Sequence, residues 1–262
     1  MVGGPLALAI VFTALAELTP STLFWSGSEP GEVTRAYPND ASTIERTNPV
    51  EAGSAQAVLN TLPVKGRASK TGYYREQFGQ AWTDDVDVQG GHNGCDTRND
   101  VLRRDLTENV IKAHSNGCTV MSGALDDPYS GKRVDFVRGG DSSAVQIDHI
   151  VSLSNAWQTG AQQTSLARRK DLANDPFNLW AVDGPLNQQK SDGDAATWLP
   201  PNTSIRCEYV ARQVAVKKMY GLWLTAPERD AITRVLDTCP GEPLPAAARW
   251  TTPDPVDGSS SS

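Results

Sequence analysis

The chain has 262 residues, 39% of them hydrophobic and 21% charged, enough for one sizeable core plus tails. Its formal net charge of -7 excludes a protein that holds nucleic acid by bulk positive charge, so any phosphate binding must be local. Four cysteines are too few for a disulfide-built fold and contain no Cys-x-x-Cys pair of the zinc-site kind, but they suit two disulfides in an oxidising compartment.

Val2 to Ala16 is nearly all apolar and ends in Ala14-Leu15-Ala16, the small-residue pattern that precedes signal cleavage. It reads as an export signal, or, since no Lys or Arg precedes the run, as a short membrane anchor. From 17 to 54 the composition turns to Pro, Ser, Thr, Gly and Glu without period, a disordered linker. The folded domain is expected over 55–240, with a second mobile tail over 241–262.

Lys65 to Trp82 mixes basic residues with aromatics. Such a stretch could line a nucleic-acid groove, but the preferred reading is that Tyr73, Phe78 and Trp82 fill the core. Asp84, Asp85 and Asp87 lack the Gly and terminal Glu of an EF-hand loop and read as a solvated turn. Asp96 or Thr97 caps a helix with Leu102 and Leu106 at helical spacing. Two strands around the turn Ser115-Asn116-Gly117 follow. A helix running on to His114 would carry the chain about 25 Å from Cys95 at 1.5 Å per residue, beyond the roughly 7 Å a disulfide allows. A short helix and a returning strand bring Cys118 back, so Cys95 pairs with Cys118.

The turn at 126–131 leads into a strand, Lys132 to Arg138, and then into Val145-Gln146-Ile147-Asp148-His149. Strand alternation puts Val145 and Ile147 on one face and Gln146 and Asp148 on the other. His149 then leaves opposite Asp148, and a site that uses both needs a bend or bulge. Residues 154–175 read as one polar helix whose Arg168, Arg169 and Lys170 form a solvated face rather than a DNA contact. Asn178-Leu179-Trp180-Ala181-Val182 opens a buried strand, and Gly184-Pro185 starts a helix on which Asn187 and Lys190 share a face. Further on, a helix over 204–220 ends at Gly221, and Thr225 with Glu228 forms a capping box for another. Cys207 and Cys239 lie equally far from the turn near Trp223 and would meet in an antiparallel helix pair, giving the second disulfide.

The chemistry concentrates between Gln146 and Asp194, where an Asp-His pair, two Asn and a Lys can each serve a metal ion or a phosphate. An Asp-His pair alone is more often structural; in the company of Asn178, Asn187 and Lys190 it reads as catalytic. His92 and His114 lack such company and read as turn or surface residues.

Asp-His-Ile-Val, then Phe-Asn-Leu, then Leu-Asn-Gln-Gln-Lys-Ser-Asp is similar to the HNH endonuclease motif in its H-N-N form. The stretch from about Val64 to Cys239 resembles the secreted actinobacterial HNH proteins of the DUF1524 group. The resemblance implies an α+β fold: a ββα-metal core with an added small antiparallel sheet and a C-terminal disulfide-linked helical hairpin. It implies Asp148 and Asn187 as ligands of one Mg²⁺, with Mn²⁺ as substitute, since two oxygen donors suit a hard ion. It makes His149 the general base, Asn178 the residue that orients the loop around the His, and Lys190 a basic residue that meets the phosphate. Arg98 is a second substrate-binding candidate; with Arg103 and Arg104 it could reach phosphates, although ordinary helix surface explains all three equally.

The expected protein is thus a secreted, monomeric, metal-dependent endonuclease acting on DNA without sequence specificity. A ribonuclease on the same scaffold shares every site residue. A catalytically inactive secreted binding module is the other alternative.

Overall fold

A computed structural model of the chain describes residues 53–245. The expected export segment, nearly all of the linker and the tail from 246 onward lie outside the described residues. The described part extends slightly past both expected limits. Ser54 caps helix α1 (Ala55–Leu59) through its hydroxyl and bridges Pro243, while the Ala55 N–H donates to the Glu242 carbonyl.

Helix α2 (Thr97–Asp105) starts where Asp96 accepts from the Asn99 N–H. It ends one residue before Leu106, which turns extended (φ -88°, ψ 145°) and opens strand β1 (Leu106–Ile111) instead of continuing the helix. With β2 (Val120–Asp126) and β3 (Arg133–Val137) it forms an antiparallel sheet in the order β1-β2-β3. The Cys95–Cys118 disulfide, with Cα atoms 5.2 Å apart, ties the approach to α2 to the approach to β2.

A second, two-stranded antiparallel sheet joins β4 (Val145–His149) to β5 (Leu179–Asp183), with Asp148 opposite Trp180 and His149 opposite Leu179. Val145, Ile147, Leu179 and Ala181 pack with Leu102, Val120, Leu125 and Phe136 into one core, which fixes the second sheet against α2 and the first sheet. The Asp183 carboxylate accepts from the Leu186 N–H and so caps helix α5 (Gly184–Lys190), with Pro185 in its first turn.

The segment between β4 and β5 is not one helix. It divides into α3 (Leu153–Gln158), a 3₁₀ turn (Ala161–Gln163) and α4 (Leu166–Asn174). The break falls at Gly160, whose φ of 131° is closed to most residues and whose Cβ, if present, would lie 3.2 Å from the Trp223 ring. Nor is its basic row a solvated face. Arg168 donates to the Met219 carbonyl and lies over Tyr220, Arg169 donates to the Gln77 carbonyl at 2.6 Å, and Lys170 pairs with Asp85 at 2.7 Å. All three fasten α4 to neighbouring segments.

Helix α6 (Arg206–Tyr220) ends at Gly221 in the left-handed region, φ 67°, and α7 (Ala226–Leu236) starts at a complete Thr225–Glu228 capping box. Glu228 also meets Lys217 at 2.8 Å, both side chains 1% exposed. The second disulfide, Cys207–Cys239, joins the start of α6 to the residues just past α7, with Cα atoms 6.4 Å apart. Behind β5 these helices build a core of Trp180, Val182, Tyr209, Val214 and Ile232. The result is a mixed α+β fold with two small antiparallel sheets and two disulfides. Among the described residues no helix is long and apolar enough to cross a membrane.

Candidate active site

Four consecutive residues of β4, Gln146 to His149, line an open cleft of about 640 Å³, together with Asn187 from α5 and Lys70, Tyr73 and Arg75 from the segment before α2. The β4-β5 ladder is regular to its last pair, so no bulge re-aims a side chain. The bend expected from strand alternation is unnecessary, because the cleft takes residues from both faces of β4.

Asp148 is buried. Its carboxylate accepts from Lys190 Nζ, 2.9 Å from each oxygen, and from the Tyr129 hydroxyl. Burial lifts the Asp148 carboxyl above its ordinary range, against the pull of the Lys190 ammonium and the Tyr129 hydroxyl. Burial and the neighbouring carboxylate push the Tyr129 hydroxyl well up, so it stays a donor. Oδ2 meets both Tyr129 and Lys190, so Oδ1, which meets Lys190 alone among the side chains, is the oxygen left to serve a ligand.

His149 is held on two sides. Its Nε2 lies 2.9 Å from the Ala173 carbonyl oxygen, and its ring stacks on Trp82 with centroids 5.7 Å apart at 16°. A carbonyl only accepts, so Nε2 carries the proton and Nδ1 is the free lone pair of the neutral ring. Burial first, and then the charge of Arg75, bring its pKa down to about 3.

Asn178 lies fully buried behind this pair. Its Oδ1 accepts from the Val151 N–H at 2.8 Å, and its Nδ2 donates to the carbonyls of Val151 at 3.3 Å and Leu172 at 3.2 Å. It therefore joins the chain leaving β4 to the end of α4, whose next residue, Ala173, holds His149. Asn187 donates through Nδ2 to Gln146 Oε1 at 2.9 Å, which fixes the amide and leaves Oδ1 without a partner among the described residues. Asp192, which also lines the cleft, accepts from Lys70 at 2.9 Å and Ser154 at 3.0 Å, and the Lys70 bond lowers its pKa.

The donor set fits a hard divalent cation. The Asp148 carboxylate and the Asn187 amide line one cleft, and oxygen donors of this kind suit a small hard ion that keeps several waters. Among the described residues the only three His, Cys, Asp or Glu side chains close enough to chelate are Cys207, Cys239 and Glu242. Two of these form the second disulfide, so that cluster is no metal site.

The other three expected residues lie as follows. The Lys190 side chain is 0% exposed and bonds to Asp148 and the His149 carbonyl. Asn178 is absent from the cleft lining, and its bonds to Val151 and Leu172 suit the expected ordering of the chain around His149. Arg98 is half-buried over the Phe136 ring, 5.8 Å away, and is absent from the cleft lining. The sequence reading missed Tyr129, placed in a turn, and Trp82, assigned to the core; their contacts with Asp148 and His149 are long-range and carry no local signal. Gln146 could have been found, since it shares a strand face with Asp148.

Residues 96–235 match the family model of the C-terminal domain of GmrSD restriction endonucleases. The chain belongs to that family. The match covers the α2-to-α7 core and contains Asp148, His149, Asn178, Asn187 and Lys190. The chain is also similar to an uncharacterized secreted protein of Arthroderma benhamiae, 36% identical over 190 residues, 72% of this chain and 86% of that protein. No solved structure matches it. With that relative and two disulfides, this member of the GmrSD C-terminal domain family is a secreted protein.

Proposed function

We propose that this protein is a metal-dependent endonuclease that hydrolyses phosphodiester bonds of DNA, its β4-β5-α5 unit serving as an HNH-type ββα-metal core. The observation that carries the reading is the neutral His149, with Nε2–H tied to Ala173 and Nδ1 free, on the same cleft as the oxygens of Asp148 and Asn187. The family match to restriction endonucleases supports the same chemistry.

Asp148 and Asn187 would hold a divalent cation, Mg²⁺ or Mn²⁺, which would supply Lewis-acid stabilisation of the charge that builds on the phosphate. His149 Nδ1 accepts a proton from a water as that water attacks phosphorus in line. The Ala173 carbonyl keeps the ring in the required tautomer and stabilises the imidazolium that forms. The P–O3′ bond breaks, the 3′ oxygen takes a proton from solvent, and the products carry 5′-phosphate and 3′-hydroxyl ends. Lys190 and Tyr129 hold Asp148 still while this happens, so the ligand needs no reorganisation.

The test is incubation of the purified, disulfide-bonded protein with supercoiled plasmid and, separately, with RNA, in Mg²⁺ and in EDTA. Plasmid cleavage that EDTA abolishes supports the reading. Cleavage of RNA alone turns it to a ribonuclease, and no cleavage of either with Mg²⁺ or Mn²⁺ turns it to a binding module.

A further inference from the structure

The charged side chains lining the cleft pair off with one exception. Lys70 bonds to Asp192, and Asp148 to Lys190. Arg75 has no hydrogen bond or ion pair among the described residues, yet it lines both the main cleft and the small adjoining pocket on the Trp82 side of His149. Tyr74, just before it, has extended backbone (φ -135°, ψ 151°), so Tyr73 and Arg75 turn toward the cleft while Tyr74 turns away. Tyr74 is 67% exposed. Tyr73 packs edge-on against Phe78 with centroids 6.4 Å apart, and this anchors the backbone that presents Arg75.

Arg75 and His149 line both of these spaces together, so a group bound before His149 meets an unpaired guanidinium beside it. A guanidinium so placed is completed by an anion that lies beside it. A phosphodiester is that anion: guanidinium is the side chain that binds a phosphate through two parallel hydrogen bonds. In a protein of net charge -7 a local cation of this kind must supply the attraction that the whole surface does not.

We propose that Arg75, which lies outside the residues matched by the family model, binds the non-bridging oxygens of the phosphate that His149 faces. The inference rests on the nuclease reading for its catalytic part but not for its binding part. It assigns to Arg75 the substrate contact expected of Lys190 and Arg98.

The experiment has two arms, both on the full chain. In the first, kcat and KM for DNA cleavage are measured for Arg75→Ala and Arg75→Lys against wild type. In the second, the same substitutions are placed in a His149→Ala background, and binding of a fluorescein-labelled oligonucleotide is followed over a salt series. Arg75→Ala is expected to lower kcat/KM by about 10- to 100-fold and to reduce the slope of log K against log salt by about 1. Arg75→Lys should keep the slope and recover only part of kcat, because a point charge replaces the fork. Arg75 is exposed and bonds to no other described residue, so the variants should melt with the wild type; unchanged melting shows that any loss is local. An unchanged salt slope for Arg75→Ala overturns the phosphate contact whatever the cleavage result. A wild type that cleaves nothing, with the slope still reduced, overturns the nuclease reading and leaves the phosphate contact standing.

Discussion

The ammonium of Lys190 lies 2.9 Å from the Asp148 carboxylate and 2.9 Å from the carbonyl of His149, so a single buried charge ties together the two residues at the end of β4. The Lys190 side chain is 0% exposed and that of Asp148 5%. Removing one partner of such a pair leaves the other charged and unsatisfied. Lys190→Met, which keeps the stem and loses the ammonium, should lower unfolding stability by about 3–5 kcal/mol. Urea unfolding monitored by tryptophan fluorescence checks this, and a loss below about 1 kcal/mol, the value of an exposed pair, would show that Lys190 is not structural.

Asn178 offers a narrower test of the support behind His149. In Asn178→Asp the oxygen that accepts from the Val151 N–H survives, but the two donations to Val151 and Leu172 are lost. Each orphaned carbonyl costs about 1–3 kcal/mol. The expected outcome is lower stability together with slower cleavage, since the Leu172 contact adjoins the Ala173 carbonyl that orients His149. Full activity in a destabilised protein would separate Asn178 from the site.

The acid side of the stability profile carries the signature of His149. Its pKa falls from 6.5 to about 3 on folding, so the unfolded chain binds the extra proton, and stability is lost as pH falls from about 6.5 toward 3. Asp100, raised from 3.8 to about 6 by burial, acts with the opposite sign: the folded chain holds its proton, and stability is lost as pH rises through that window. Replacing His149 with Phe, which can still stack on Trp82, removes the first contribution alone. Melting temperatures in EDTA should show the variant gaining on wild type as pH falls from 6.5 to 4; parallel curves would contradict a neutral buried His149.

The second disulfide closes a 32-residue separation around the α6-α7 pair. In the chain-entropy estimate its removal costs about 3–4 kcal/mol. Cys207→Ser with Cys239→Ser should lower the melting temperature while leaving the kcat of the folded fraction unchanged, because no cleft residue comes from either helix. A fall in kcat at temperatures where the variant is fully folded would count against a purely supporting role.

Much of this arrangement is readable from local patterns. Alternation in Val145 to His149, the Gly184-Pro185 start and the three-residue spacing of Asn187 and Lys190 place the strand and the helix that border the cleft. The capping box at Thr225 and the position of Gly221 bound the last two helices. What escapes is long-range. Lys190 resembles a surface lysine until Asp148 and the His149 carbonyl are known to face it from 42 and 41 residues away. Tyr129 is marked by its neighbours only as a turn residue, and Trp82 as one more aromatic. The basic row Arg168 to Lys170 has the composition of a solvated face, yet its partners are two backbone carbonyls and an aspartate supplied by other segments. Arg75 is informative for the opposite reason, since none of the described residues neutralises it.

The most direct measurement is the single-turnover rate of DNA cleavage by His149→Ala in saturating Mg²⁺, beside wild type, with metal binding followed by calorimetry on both. A general base is worth about 10² to 10⁴ in rate, so the variant should lose that much while still binding the cation through Asp148 and Asn187. A variant that cleaves at the wild-type rate would remove His149 from the chemistry, and with it the central reading of the cleft.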